Sequence, residues 1–247
     1  MLLALALLLA LDPVVTPPLD AAVPRHQAAM SAGDRLLFDG ADDRATYSAA
    51  IKSYDDAIAA GDAPALVWAR KAEACLRLGD VESESDTKLK LYKRGQAAAD
   101  AGIAKDPRCD ACWFWRGGTL GRWGQTRGIL DSLFLIGDVK GAFTQALAID
   151  PANHDAVLSL ALVDQNVPGF AGGSVERAEA AMRKVLSTSP HFTRAMLDLA
   201  ELLGERGEKE EARRWATKAL NEQSPLHPGG HRKFDLKRAK ALLAKWA

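Results

Sequence analysis

Cys109 and Cys112 form the sequence C-D-A-C where a helix is expected to begin. Two thiols three positions apart at a helix N-terminus can do redox chemistry, because the helix dipole favours the thiolate. The strand–helix–strand surroundings of thioredoxin-like proteins are missing here, and no histidine follows Cys112, which removes covalent haem attachment. No second cysteine or histidine pair at ligand spacing completes a zinc site. In an exported chain the same two residues can form a local disulfide, and bridged and free forms both fit the sequence. Structural cysteines are the preferred reading, and a thiol–disulfide redox protein using Cys109 and Cys112 is the alternative. Cys75 falls on a buried helix phase and reads as core.

The remaining polar residues are poorer in chemistry. The five histidines (His26, His154, His191, His227, His231) are scattered. His154 and His191 each follow a proline at an equivalent place, which is a repeat feature. His227 and His231 flank a Pro-Gly-Gly turn without further ligands at hand. Glu82, Glu84 and Asp86 read as a solvated acidic loop. There is no serine elbow, no phosphate-cradling glycine loop and no HExxH pair. The expectation is therefore a protein that is not an enzyme and needs no cofactor or metal.

The elements that hold these residues recur. Trp68, Ala72 and Cys75 share a helical phase with Trp113, Gly117 and Leu120, with Val157, Ala161 and Asp164, and with Met196, Ala200 and Leu203. A second phase pairs Ala50 with Tyr54, Val139 with Phe143, Ala178 with Met182 and Ala212 with Ala216. Pro107, Pro151, Pro190 and Pro225 close the units. This pattern resembles the tetratricopeptide repeat, whose period is about 34 residues. One helical hairpin cannot bury its apolar face alone, so neighbours stack and share a core. The spacings here are longer: Trp68 to Trp113 is 45 residues, Trp113 to Val157 is 44, and Val157 to Met196 is 39. The excess is placed between the two helices of a hairpin. The predicted fold is an all-α, right-handed solenoid of stacked hairpins over residues 25–225, closed by a capping helix within 226–247. Trp113 is expected at an inter-helix core position.

Two stretches interrupt the hairpins. Ile129, Leu130, Leu133, Phe134, Leu135 and Ile136 make an apolar cluster, read first as packed core and otherwise as the lining of a groove. Val167 to Gly173 (VPGFAGG) forces a non-helical link and leaves Phe170 without an evident partner. Insertions in adjacent repeats should emerge on one side of the stack, which marks a binding face. After Pro225, HPGGH reads as a loop. The final helix from Phe234 to Trp246 carries an apolar stripe, and the basic residues from Arg232 to Lys245 read as its solvated face.

Lys+Arg and Asp+Glu are both 32, so there is no basic surplus for nucleic acid. Residues 1–24 hold an apolar run, MLLALALLLAL, and a proline-rich tether. The run fits a secretory signal and is too short to span a bilayer, so no transmembrane helix is expected. It predicts a periplasmic or secreted protein, with a cytoplasmic one as the alternative. No cysteine stands beside the run to carry a lipid anchor.

The stretches 115–133, 136–151 and 167–178 (WRGGTLGRWGQTRGILDSL, IGDVKGAFTQALAIDP and VPGFAGGSVERA) resemble the T-component family of TRAP-type transporters. These are periplasmic helical-repeat proteins that contact a solute-binding protein and present an apolar channel or groove. The resemblance implies a scaffold for a protein or peptide partner, a solute-binding protein among the candidates, or a carrier of a small hydrophobic ligand. It places Trp115, Trp123, Leu130, Leu133, Phe134 and Phe170 at the binding surface.

Overall fold

The computed structural model describes residues 24–246; the apolar leader and most of the tether, at 1–23, lie outside the described residues. Ten helices form five antiparallel hairpins: α1 (Arg25–Asp39) with α2 (Arg44–Ala59), α3 (Leu66–Val81) with α4 (Ser85–Lys105), α5 (Asp110–Arg127) with α6 (Ile129–Ile149), α7 (His154–Asn166) with α8 (Val175–Thr188), and α9 (Thr193–Glu205) with α10 (Lys209–Leu220). A short turn α11 (Pro228–Gly230), a π-helical stretch (His231–Asp235) and α12 (Leu236–Lys245) follow. No strand occurs among the described residues, as expected for an all-α solenoid.

Local chemistry sets the boundaries. Asp43, Asn153 and Ser174 cap α2, α7 and α8 by accepting a backbone N–H three residues on. Gly61, at φ 80°, supplies the left-handed residue that follows α2. Inside the hairpins a glycine on one helix receives a ring from another: a Cβ on Gly33 would lie 2.6 Å from the Tyr54 ring, and one on Gly117 2.8 Å from Phe143. Beside Gly33, Asp34 accepts the Tyr54 hydroxyl proton at 2.8 Å; beside Gly79, which faces Tyr92, Asp80 accepts that hydroxyl at 2.9 Å. The pairs Ala50–Tyr54, Val139–Phe143, Ala178–Met182 and Ala212–Ala216 are all buried, as their phase predicts.

Several expectations change. The extra length of the second and third hairpins is not loop. Residues 79–86 hold the end of α3 and the start of α4, joined by three residues only, and Glu82 is 7% exposed and paired with Arg44. Both long hairpins grow by extending their helices, with α4 and α6 each 21 residues long. In α5 the core position belongs to Phe114, 8% exposed, while Trp113 is half-buried and its indole N–H donates to the Pro107 carbonyl at 3.0 Å. The helix is rotated so that Phe114, Gly117, Leu120 and Gly124 face inward. HPGGH is not a loop: Pro228 opens the terminal helical segment. That segment's basic residues are not simply solvated either. Arg238 pairs with buried Asp198 at 2.6 Å and with Glu201.

Candidate binding surfaces

α6 is the most apolar helix, and its two halves differ. Val139, Ala142, Phe143 and Ala146 are buried against α5 and α7. Ile129 is 78%, Leu130 74% and Phe134 86% exposed. Nine residues separate Phe134 from Phe143, which is two and a half turns, so the two rings leave opposite faces of one helix. The outer face continues through Gly137 and Gly141, where a Cβ would meet nothing within 4 Å. On length and composition alone α6 could cross a membrane. Val139, Ala142, Phe143 and Ala146 pack it into the array.

Lys140 on α6 pairs with Asp164 near the end of α7 at 2.6 Å, and Asp164 also holds Arg177 of α8 at 3.0 Å. Burial would raise the Asp164 pKa, but the hydrogen bonds from Arg177 and Lys140 and their charges lower it. Arg177 in turn donates to the Gly172 carbonyl at 2.6 Å. This network ties the Val167–Gly173 link to the flank of α6. It also sets Lys140 level with Asp164, so the first ten or so residues of α6 run on beyond it by about 15 Å. α5 and α7 run parallel, so the third and fourth hairpins turn at the same end of the stack. There Phe170, on the 3₁₀ turn Gly169–Ala171, is 88% exposed.

The sequence-named residues therefore split. Leu130, Phe134 and Phe170 are exposed at that end, and Leu133 is half-buried. The first reading of the cluster as packed core fails for Ile129, Leu130 and Phe134, because α7 stops short of them. Trp115 is elsewhere: it packs edge-on against Phe114 (centroids 4.9 Å apart), with Arg77 over its ring. Trp123 is half-buried, with Lys93 of α4 and Arg127 over its ring. Trp123 is linked to the first turn of α6 through Arg127, which pairs with Asp131 at 3.0 Å.

Cys109 and Cys112 are joined as a disulfide, with Cα atoms 5.2 Å apart. Both are buried, beside Ala65, Ala69 and Gly102. A sulfur sealed in this way is hard for an attacking thiolate to reach, so the geometry lends no support to redox catalysis. Cys75 is buried among apolar side chains, which pushes its thiol pKa up to about 11. The described residues hold no cluster of three metal-ligating side chains.

The stack has a second surface that the sequence reading missed. Leu226 to Asp235 touches α1, α3, α7 and α9, the first helices of four hairpins, and so lies along the inner face. His227 Nε2 meets Asp155 of α7 at 3.0 Å, and its ring stands edge-on to Phe192. The hydrogen bond to Asp155 raises the His227 pKa against its burial. Phe234 carries Arg77 of α3 over its ring at 4.8 Å, and Thr193 donates to Asp235 at 2.6 Å. At the far end, Lys233 donates to the Leu37 carbonyl at 2.6 Å and Arg232 pairs with Asp39 at 2.7 Å.

Residues 170–225 match the family model of the tetratricopeptide repeat, a stretch from the 3₁₀ turn through α10. The chain resembles TTC0263, a thermophilic TPR protein of Thermus thermophilus, over 89% of this chain and 99% of that one, with TM-score 0.64 and 18% identity. It also resembles PilF of Pseudomonas aeruginosa over 90% of each chain, with TM-score 0.52 and 17% identity. No curated protein matches the sequence. The sequence match thus spans α8, α9 and α10, and the array as a whole has the tetratricopeptide-type fold.

Proposed function

We propose that this tetratricopeptide-type array is a non-enzymatic scaffold that binds a protein partner through the projecting end of its third hairpin. One observation carries the reading: Ile129, Leu130 and Phe134 are 74–86% exposed on the first two turns of α6. Contiguous exposed apolar side chains on a folded chain mark an interaction site. Phe170 is a further exposed ring at the turn of the next hairpin, and the open glycines at 137 and 141 let a partner's backbone approach closely. The end projects, so it suits a partner's groove better than a small hydrophobic ligand. Export to the periplasm or cell exterior is part of the proposal, supported by the apolar leader and by a disulfide that an oxidising compartment maintains. A place beside a solute-binding protein in a transport system is its narrower form, supported by the T-component resemblance.

The test is photocrosslinking in source cells, with p-benzoylphenylalanine placed at Phe134 and, as a control, at exposed Thr144 on the same helix. Discrete protein adducts at 134 that are missing at 144 are expected. Equal labelling at both positions, or none at 134, would refute the surface.

A further inference from the structure

The terminal segment does more than cap. α12 seals the last hairpin by burying Ala239, Leu242 and Trp246, the last in the space left by Gly204. The ten residues before it do something a cap does not need. They run along the inner face and reach the first hairpin, joining positions 193 and 196 residues apart in the chain.

We propose that Leu226–Asp235 is a tethered ligand of the inner face, and that this face is a recognition surface for short basic segments bearing an aromatic residue. The surface meets such a segment at four of its side chains. Asp155 faces His227, Asp39 faces Arg232, the Leu37 carbonyl and the Tyr47 ring face Lys233, and the Arg77 guanidinium lies over Phe234. The backbone is pressed in as well: a Cβ on Gly229 would lie 2.6 Å from the Phe38 carbonyl oxygen, so only glycine fits at the point of closest approach. Extended repeat surfaces recognise peptides through such scattered anchors.

The segment and the helix that follows it are held unequally. α12 is anchored by buried apolar side chains and by Arg238 on buried Asp198. The contact with α1 rests on polar groups, and Arg232 and Asp39 are 58% and 63% exposed. Such screened pairs contribute little each. Tethering supplies what the contacts lack, because it presents the segment at an effective concentration of order millimolar. Opening therefore releases the α1 contacts first while α12 stays docked, and the inner face becomes free for a segment of the same chemistry from another protein. This inference uses a different surface from the α6 patch and stands apart from it.

A labelled peptide of residues 226–235, LHPGGHRKFD, tests the proposal against the full chain by fluorescence anisotropy. The wild type should bind it poorly. The double variant R232E/K233E, whose tethered copy is disabled, should bind at least tenfold tighter, with affinity falling as salt rises. Adding Asp39→Lys to that variant should abolish the gain. No binding by the double variant, or equal binding by both proteins, would overturn the recognition surface. Spin labels at exposed positions 35, on α1, and 228, in the segment, report closure independently of the peptide: one narrow distance in the wild type, broadened in R232E/K233E and in Asp39→Lys alone. A narrow distance persisting in both variants would overturn the tether.

Discussion

Phe143→Ala and Phe134→Ala delete the same side chain nine residues apart on α6, and the structure assigns them opposite consequences. Phe143 is 4% exposed, lies against Gly117 and sits 5.6 Å from the Phe114 ring. Emptying that site costs the transfer of a benzyl group plus a cavity that two helices cannot collapse, about 3–5 kcal/mol. For a domain of this size that lowers Tm by roughly 10 °C. Phe134, 86% exposed, has almost nothing to lose on folding. Its removal should stay within about 0.5 kcal/mol of wild type, a shift of roughly 1–2 °C. Binding reverses the order. A partner that buries the Phe134 ring gains about 1.5–3 kcal/mol from it, so Phe134→Ala should weaken association by roughly 10- to 100-fold. Phe143→Ala should bind normally below its Tm. Paired thermal melts and titrations with the crosslinked partner measure both. If Phe134→Ala melts as early as Phe143→Ala, the extension is core and its face is not a free surface.

Phe114→Ala should cost about 3–5 kcal/mol and Trp113→Ala about 1–2 kcal/mol in urea denaturation, because only the former empties an inward site; the reverse order would mean α5 is rotated otherwise. Replacing both Cys109 and Cys112 by serine should cost about 2 kcal/mol, the loop-closure contribution of so short a bridge; a much larger loss would indicate that the bridge also fixes the packing of α3 on α5. The inner-face closure should depend on pH. His227 faces Asp155 on α7, Arg194 on α9 and Glu73 on α3, and its pKa is raised above 6.5, chiefly by the hydrogen bond to Asp155. Its contribution is complete below 6.5 and fades as pH rises through the raised value. Asp155, despite burial, is held below 3.8 by His227 and Arg194, so its contribution is lost only as pH falls through that lower value. Closure is strongest between about pH 4 and 6.5. Hydrogen exchange of residues 226–235, corrected for the intrinsic rate, should be faster at pH 8.5 than at pH 5.5, and a His227→Ala variant should lose the difference.

The helical period, the prolines and the alanine–aromatic phase were enough to specify stacked hairpins, because each reports a local constraint: which face is apolar and where a helix must stop. Ala50 with Tyr54 and Val139 with Phe143 illustrate this, since residues four apart on a helix share a face wherever the helix goes. The Gly33–Asp34 and Gly79–Asp80 dipeptides, each serving a tyrosine on the next helix, were equally present in the sequence. They went unread because their partners stand 20 and 12 residues away, at no fixed offset. Rotation about the helix axis was decided by tertiary packing: Trp113 and Phe114 are neighbours, and only the position of α6 chose Phe114 for the core. The fate of the apolar cluster at 129–136 was likewise tertiary. An apolar helical turn looks the same whether a neighbour covers it or stops short, and α7 stops short. Most distant from any sequence pattern is the closure of His227, Arg232 and Lys233 onto the inner face. Arg232 and Lys233 meet groups almost 200 residues away, which the superhelix brings together only once every hairpin before them has stacked.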